Sequence, residues 1–391
     1  MMLPALLLLA AAVDPLVQSG YDHFYNLEYP QALADFRKAL EAAPRDPARH
    51  NHVAQCILFQ VMFRAGALET EMVTGGNPFI RRPKMEPTAE EERVFHHAIG
   101  ESLRLTNEAL ARNPNDVAAL YAQGVAIGLR GTYRYLVRKA WLDALRDVTT
   151  ARKLHNRVVE LERGNIDARM MQGVHDYIVG SLPWGYRLLG FLAGFHGDRQ
   201  AGIRTVRLVA EKGDLNKVDA QILLGVVARR ERRPQDAIPL CESLLKRFPR
   251  NFLLLFELSQ MYADLGDKPN ALKALDRVEE LKKTGAPGFR NLPVERIEFA
   301  RGNLLFWYDE PDAAIIHLRN ATSRAQVLDP NSGVTAWLRL GQCLDLKGRR
   351  GEARAAYLEA IHYSPSSEEA KTARKYLSKV FDAKEKRAIS S

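Results

Sequence analysis

The sequence predicts an all-α fold, a right-handed α-solenoid of about seven to nine helix–turn–helix units with irregular central insertions and a C-terminal capping helix. Three observations predict it. Small residues recur at a fixed interval: Gly341, Ala353 and Pro365 lie twelve apart, and Gly225, Ala237 and Pro249 repeat that spacing. The apolar residues between them follow helical periodicity, and no segment alternates with period two between turn signals. Proline-containing stops such as Asn113-Pro114-Asn115-Asp116 end the helical stretches. A small residue where two helices cross lets their backbones approach, while larger neighbours fill the flanks. A lone hairpin cannot bury its apolar faces, so one good unit implies stacked neighbours.

The elements follow in order. Met1–Ala12 (MMLPALLLLAAA) is uncharged and apolar, with a small-residue run before Val13-Asp14-Pro15. It has the length of a signal-peptide core and is too short to span a membrane. Export is therefore expected, to the periplasm in a bacterial cell, with the cytoplasm as the other compartment. Residues 13–72 hold the first units: Gly20, Ala32, Phe36, Ala39 and Pro44 make one complete set, and Val53 to Met62 form an apolar helix after Pro47. Gly75, Gly76 and three prolines make 73–88 a loop. Residues 89–216 read as degenerate units with inserted helices, opened by Gly124 and Gly173, with 131–150 lengthening a hairpin. The regular array spans 217–365. Gly225 opens it, Ser259 with Ala271 and Gly302 with Ala314 continue it, and Thr284–Pro293 is a Gly/Pro-rich connection. Ser367-Glu368-Glu369 caps a last helix to Phe381, so 366–382 is the capping helix and 383–391 a flexible tail.

Trp337, Leu340, Gly341, Leu344, Ala353, Tyr357, Ala360 and Pro365 together resemble a tetratricopeptide repeat. The resemblance implies that the inner face of the array comes from fixed positions on the first helix of each unit. Carried onto this chain, those positions include Tyr177, Arg229, Arg230, Gln260, Arg296, Asn303, Phe306, Trp307 and Gln342, with Asp219, Ile222, Phe299 and Asp345 among their neighbours. Aromatic anchors among amides and arginines suit an extended peptide. The stretch Arg296–Trp307 is the best candidate, although Phe299 and Phe306 equally suit packing against the next helix. The family's carboxylate clamp needs a repeated Lys/Asn set, and only Asn303 matches it.

A net charge of +9 and a pI near 9.4 invite a nucleic-acid reading. The cations are scattered, however, and most fall at hairpin turns or helix ends, where they reach solvent and offset the helix dipole. This leaves no specific nucleic-acid partner and a mild preference for acidic partners or an anionic membrane surface. Catalytic constellations are missing from the sequence: it has no H-E-x-x-H, C-x-x-C, G-x-S-x-G or phosphate-binding Gly-rich loop with G-K-[ST]. His50 and His52 point to different sides of a helix, so with Cys56 they do not make a metal site. Cys56, Cys241 and Cys343 read as small buried hydrophobes. Neither a metal nor a cofactor is expected.

Residues 173–203 depart from a plain repeat, because Pro183 and Gly185 interrupt a very apolar stretch, Leu188 to Phe195. Gly173, Ser181, Leu182, Pro183, Leu188, Leu189, Phe191, Gly194, Phe195, Gly197, Asp198, Arg199 and Gly202 resemble a segment of the eukaryotic tetratricopeptide-repeat family that includes the fungal inclusion-body clearance protein. That resemblance implies a shared architecture and proximity to lipid, since the family is tied to the mitochondrial outer membrane and lipid bodies. Physically, the stretch reads as a buried plug or as a partner-facing patch. The function expected is thus a non-enzymatic scaffold binding a protein or extended peptide on its concave face. The alternative is a peripheral envelope- or lipid-associated protein using residues 182–195.

Overall fold

The computed structural model describes residues 14–68, 84–181 and 197–390, and no strand occurs among them. Three sequence expectations fall outside these residues: the signal peptide at Met1–Ala12, most of the 73–88 loop, and the apolar stretch 182–195. Eighteen α-helices among the described residues form an all-α solenoid. The first four hairpins pair α1 (Pro15–Tyr25) with α2 (Tyr29–Ala42), α3 (Pro47–Arg64) with α4 (Ala89–Arg112), α5 (Val117–Tyr133) with α6 (Trp141–Leu161), and α7 (Arg169–Gly180) with α8 (Arg199–Lys212). The next four pair α9 (Lys217–Arg230) with α10 (Pro234–Arg247), α11 (Phe252–Asp264) with α12 (Lys268–Lys283), α13 (Val294–Trp307) with α14 (Pro311–Thr322), and α15 (Pro330–Leu346) with α16 (Arg350–Tyr363). Then α17 (Glu368–Ser378) packs on α15 and α16, and α18 (Ala383–Ser390) follows it.

Local chemistry sets the boundaries. Asp14, Asp46, Asp116, Asp198, Asp267 and Asp329 each accept a first-turn N–H with the side-chain carboxylate. Thr88 and Glu91 close a reciprocal capping box on α4. Each such cap satisfies an otherwise orphaned donor and is worth about 1 kcal/mol. The hairpin turns share a further device: Leu27, Arg232, Gly266, Asp309 and Gly348 all have positive φ. Each sits seven residues after its crossing residue (Gly20, Gly225, Ser259, Gly302 and Gly341). Glycine takes that left-handed conformation freely, whereas Leu27, Arg232 and Asp309 hold it at a cost of about 1 kcal/mol.

The crossings are where glycine is required. A β-carbon at Gly20 would lie 2.5 Å from the Phe36 ring, and one at Gly302 would lie 2.7 Å from Leu318. At Gly341 it would strike the Tyr357 ring, and at Gly124 it would lie 2.7 Å from His155. Gly225 differs, because a β-carbon there would meet open space. The lengthened hairpin around 131–150 is accounted for by a π-helical turn, Arg134–Arg138, after which Lys139 takes a positive φ and α6 begins.

Two sequence expectations are corrected. The C-terminal tail is not free of structure, since residues 383–390 form α18 and Lys386 is buried. The capping helix ends at Ser378 rather than running on to Phe381. The cations expected to reach solvent are also largely engaged, and Arg250 shows why. Its backbone N–H donates to Asn26 Oδ1 at 2.9 Å, while its guanidinium donates to Glu28 at 2.9 Å and Asp22 at 2.6 Å. Asn251 donates to the Tyr25 carbonyl at 2.7 Å, and the Tyr25 and Phe248 rings lie 5.0 Å apart. The array therefore curls until its first hairpin docks on the α10–α11 turn, which places α1–α3 against part of the inner face.

Candidate functional site

On the repeat register the inner face belongs to α9, α11, α13 and α15, the first helices of the last four hairpins, and α13 packs beside both α11 and α15. On α13 and α15, four of the expected residues form one connected group around a side chain that sequence reasoning missed, Arg339. Its guanidinium stacks 4.5 Å from the Phe306 ring centroid and 4.7 Å from Trp307. It also donates to Asn303 Oδ1 at 3.1 Å and Gln342 Oε1 at 2.7 Å. Planar donors and delocalised charge suit arginine to this double role. Gln342 is 1% exposed and Phe306 is equally buried, while Trp307 keeps an accessible edge. The signal that could have found Arg339 is its place one turn before Gln342, on the same helix stripe as Ser332.

Arg296 is buried one layer away. Its guanidinium lies 5.3 Å from the Phe256 ring and 5.4 Å from the Phe299 ring, bonds Ser332 Oγ, and sits 3.9 Å from Asp329. Arg229 and Gln260 meet at 2.5 Å, with Asp264 at 2.6 Å and Glu257 at 3.8 Å from the same guanidinium. Tyr177 is buried and donates to Glu231 at 3.0 Å, and the exposed Arg230 lies 5.9 Å from its ring. Burial raises the Tyr177 phenol above its ordinary range. The nine expected residues thus divide into four groups, and most of them are already held by neighbouring side chains: Asn303 and Gln342 by Arg339, Arg296 by Ser332, Tyr177 by Glu231, and Arg229 and Gln260 by each other.

Two hollows open beside these groups. A cavity of about 130 Å³ lies at the crossing of α9 and α10, where Gly225 and Cys241 leave space, and Asp219, Ile222, Phe24 and Tyr29 line it. Burial raises the Asp219 carboxyl to about 6, with the Tyr25 hydroxyl bonded to it. A wider cleft of about 750 Å³ lies between the first two hairpins and the α12–α13 connection, with Glu28, Arg64, Arg290, Arg296 and Asp329 on its walls.

The three cysteines and two of the histidines are held in their neutral forms. Burial pushes the Cys56 and Cys343 thiols up to about 12 and Cys241 higher still, so none is a ready thiolate. Burial holds His52 and His155 down to about 4. Among the described residues no group of three His, Cys, Asp or Glu side chains could hold a metal ion, and no helix is long and apolar enough to cross a membrane.

With this geometry in place, the family model described as tetratricopeptide repeat matches residues 195–286 and 300–368. These two segments are tetratricopeptide repeats. They cover α8 to α12 and most of α13 to α16, and the first hairpin keeps the same register at Gly20 and Phe36 outside them. Among solved structures, yeast Tom70 is similar at 15% identity with a TM-score of 0.43, over 96% of this chain and 96% of that one. Human IFIT1, solved as a dimer with PPP-AAAA, is similar at 15% identity and a TM-score of 0.43, over 90% of this chain and 68% of IFIT1. Likeness at this level says nothing about what this chain binds. No curated protein matches it in sequence.

Proposed function

We propose that this tetratricopeptide-repeat chain is a non-enzymatic scaffold that holds a protein or extended peptide on its concave inner face. The observation that supports the reading is the Arg339 group. An arginine fixed by two amides and stacked on two aromatic rings is a recognition platform assembled before any partner arrives, so little side-chain entropy remains to be lost on binding. Trp307, with its accessible edge, is the contact residue, whereas Asn303, Gln342 and Arg296 position the surface from below. The net charge of +9 favours an acidic partner over the surface as a whole. Beside α13 the charge is locally reversed by Asp309, an exposed carboxylate in the α13–α14 turn.

The test is affinity capture by the wild type and by Trp307→Ala, chosen because removing Arg296 or Asn303 would break internal bonds. Loss of captured protein in the variant, at unchanged thermal midpoint, is the expected result, and an identical set of captured proteins overturns the choice of face. The alternative, a lipid-associated protein using residues 182–195, predicts recovery with liposomes in the top fraction of a flotation gradient at moderate salt. We also propose export on Met1–Ala12. Amino-terminal sequencing of the mature protein should then begin at Val13, and a retained Met1 overturns it.

A further inference from the structure

The inner face of the last two hairpins is already occupied by the chain's own C-terminus. Beyond α17 the backbone turns at 379–382 and lays Phe381 over Phe306, with ring centroids 6.1 Å apart, and against Tyr376 at 5.1 Å. Phe381 is 0% exposed, and its N–H donates to Asp345 Oδ2 at 3.0 Å. Five residues later Lys386, 5% exposed, sets its ammonium 4.9 Å from the Phe306 ring and pairs with Asp309. Phe306 and Asp345 are inner-face residues on α13 and α15, and Asp309 is the left-handed residue of the α13–α14 turn.

We propose that residues 379–390 are a displaceable internal ligand of this face, and that the partner it takes is a peptide segment carrying an aromatic side chain followed five residues later by a lysine or arginine. This rests on the scaffold reading and specifies its partner. Two features distinguish the segment from ordinary core. Its hold is narrow among the described side chains: of residues 382–387 only Lys386 is buried, and Glu385 turns back to Lys375, Lys379 and Tyr376. The Lys386–Asp309 pair is also open to water on one side, since the Asp309 side chain is 84% exposed, so solvent and salt screen it there.

The second feature is that the face survives being vacated. Asp345 keeps the Tyr357 hydroxyl and Arg350, each at 2.9 Å, and Phe306 keeps Arg339. An aromatic group, an N–H donor and a cation are therefore what the emptied face would take up again, on Phe306, Asp345 and Asp309 in turn.

The experiment uses the full chain and, as probe, a fluorescent peptide of residues 379–391 read by anisotropy. In the Lys386→Glu chain the resident tail is loosened, so the wild-type peptide should bind at least tenfold tighter than it does to the wild-type chain. A Phe381→Ala peptide should bind at least tenfold weaker than the wild-type peptide. Equal affinity of the two chains, binding to neither, or indifference to Phe381→Ala each overturns the proposal. Should Lys386→Glu fail to fold, Asp309→Lys in the full chain supplies the second measurement. It should prefer a peptide carrying Lys386→Glu over the wild-type peptide, and the opposite order overturns the proposal. Because the probe is the chain's own tail, its failure leaves the capture experiment with Trp307→Ala standing, and failure of that capture leaves the peptide result readable.

Discussion

The hairpins α9–α10 and α15–α16 share one register and differ at one filling residue. Gly341 and Gly225 are matched crossing residues, followed twelve residues on by Ala353 and Ala237. Sixteen residues after the glycine, α15–α16 has Tyr357 and α9–α10 has Cys241. Tyr357 lies against Gly341, fully buried, with its hydroxyl on Asp345 at 2.9 Å. Cys241 is too short to reach Gly225, and the unfilled volume is the cavity of about 130 Å³ into which Asp219 looks. The glycine–alanine spacing therefore specifies the hairpin, while the residue facing the glycine decides whether the crossing is solid or hollow.

The largest test of that contrast is truncation of the filling residue. Tyr357→Ala should cost about 3–5 kcal/mol, as large-to-small changes in a packed core do. Cys241→Ala should cost about 1 kcal/mol, because its surroundings are already hollow. Urea unfolding midpoints compare the two, and equal shifts would break the contrast.

The hairpin α5–α6 sharpens it next, since its crossing glycine, Gly124, is faced by a titratable ring. His155 is buried and held down to about 4 from an ordinary 6.5 by desolvation. A depressed histidine contributes stability that is complete above pH 6.5 and is lost as the pH falls to about 4. The loss amounts to about 3 kcal/mol over that window. Thermal midpoints should fall across it, and His155→Gln should flatten the slope; an unchanged slope removes His155 as its source.

Two glycine substitutions have smaller and opposite expected effects. Gly341→Ala forces a β-carbon into the Tyr357 ring and should destabilise by about 1–3 kcal/mol. Gly225→Ala meets nothing and replaces a flexible residue in mid-helix, so it should stabilise by about 0.5–1 kcal/mol. Shifts of the same sign at both positions would show that Gly225 is packed after all.

Much of the fold is legible in the sequence, and the reasons are local. Caps such as Asp116 and Ser367, prolines at first turns, and the spacing of small residues act within a hairpin, so they appear in the sequence at short range. The candidate site was legible by position and less so by state. Arg296, Asn303, Phe306 and Gln342 lie on the first helices of their hairpins where the register puts them, yet all four are buried against neighbouring side chains. Arg339, which ties three of the four together, carries no motif of its own. The cations were read from their places at helix ends, which conceal that Arg250 meets Asp22 and Glu28 from more than two hundred residues away.

The sequence by itself determined that this protein is an array of helical hairpins and where the regular ones turn, because those features depend on neighbours within a repeat. Only the tertiary structure decided that the first hairpin closes against α10–α11 and that Phe381 and Lys386 settle on Phe306 and Asp309. Those contacts depend on the small rotation between successive repeats summed along the array. No single segment of sequence carries that sum.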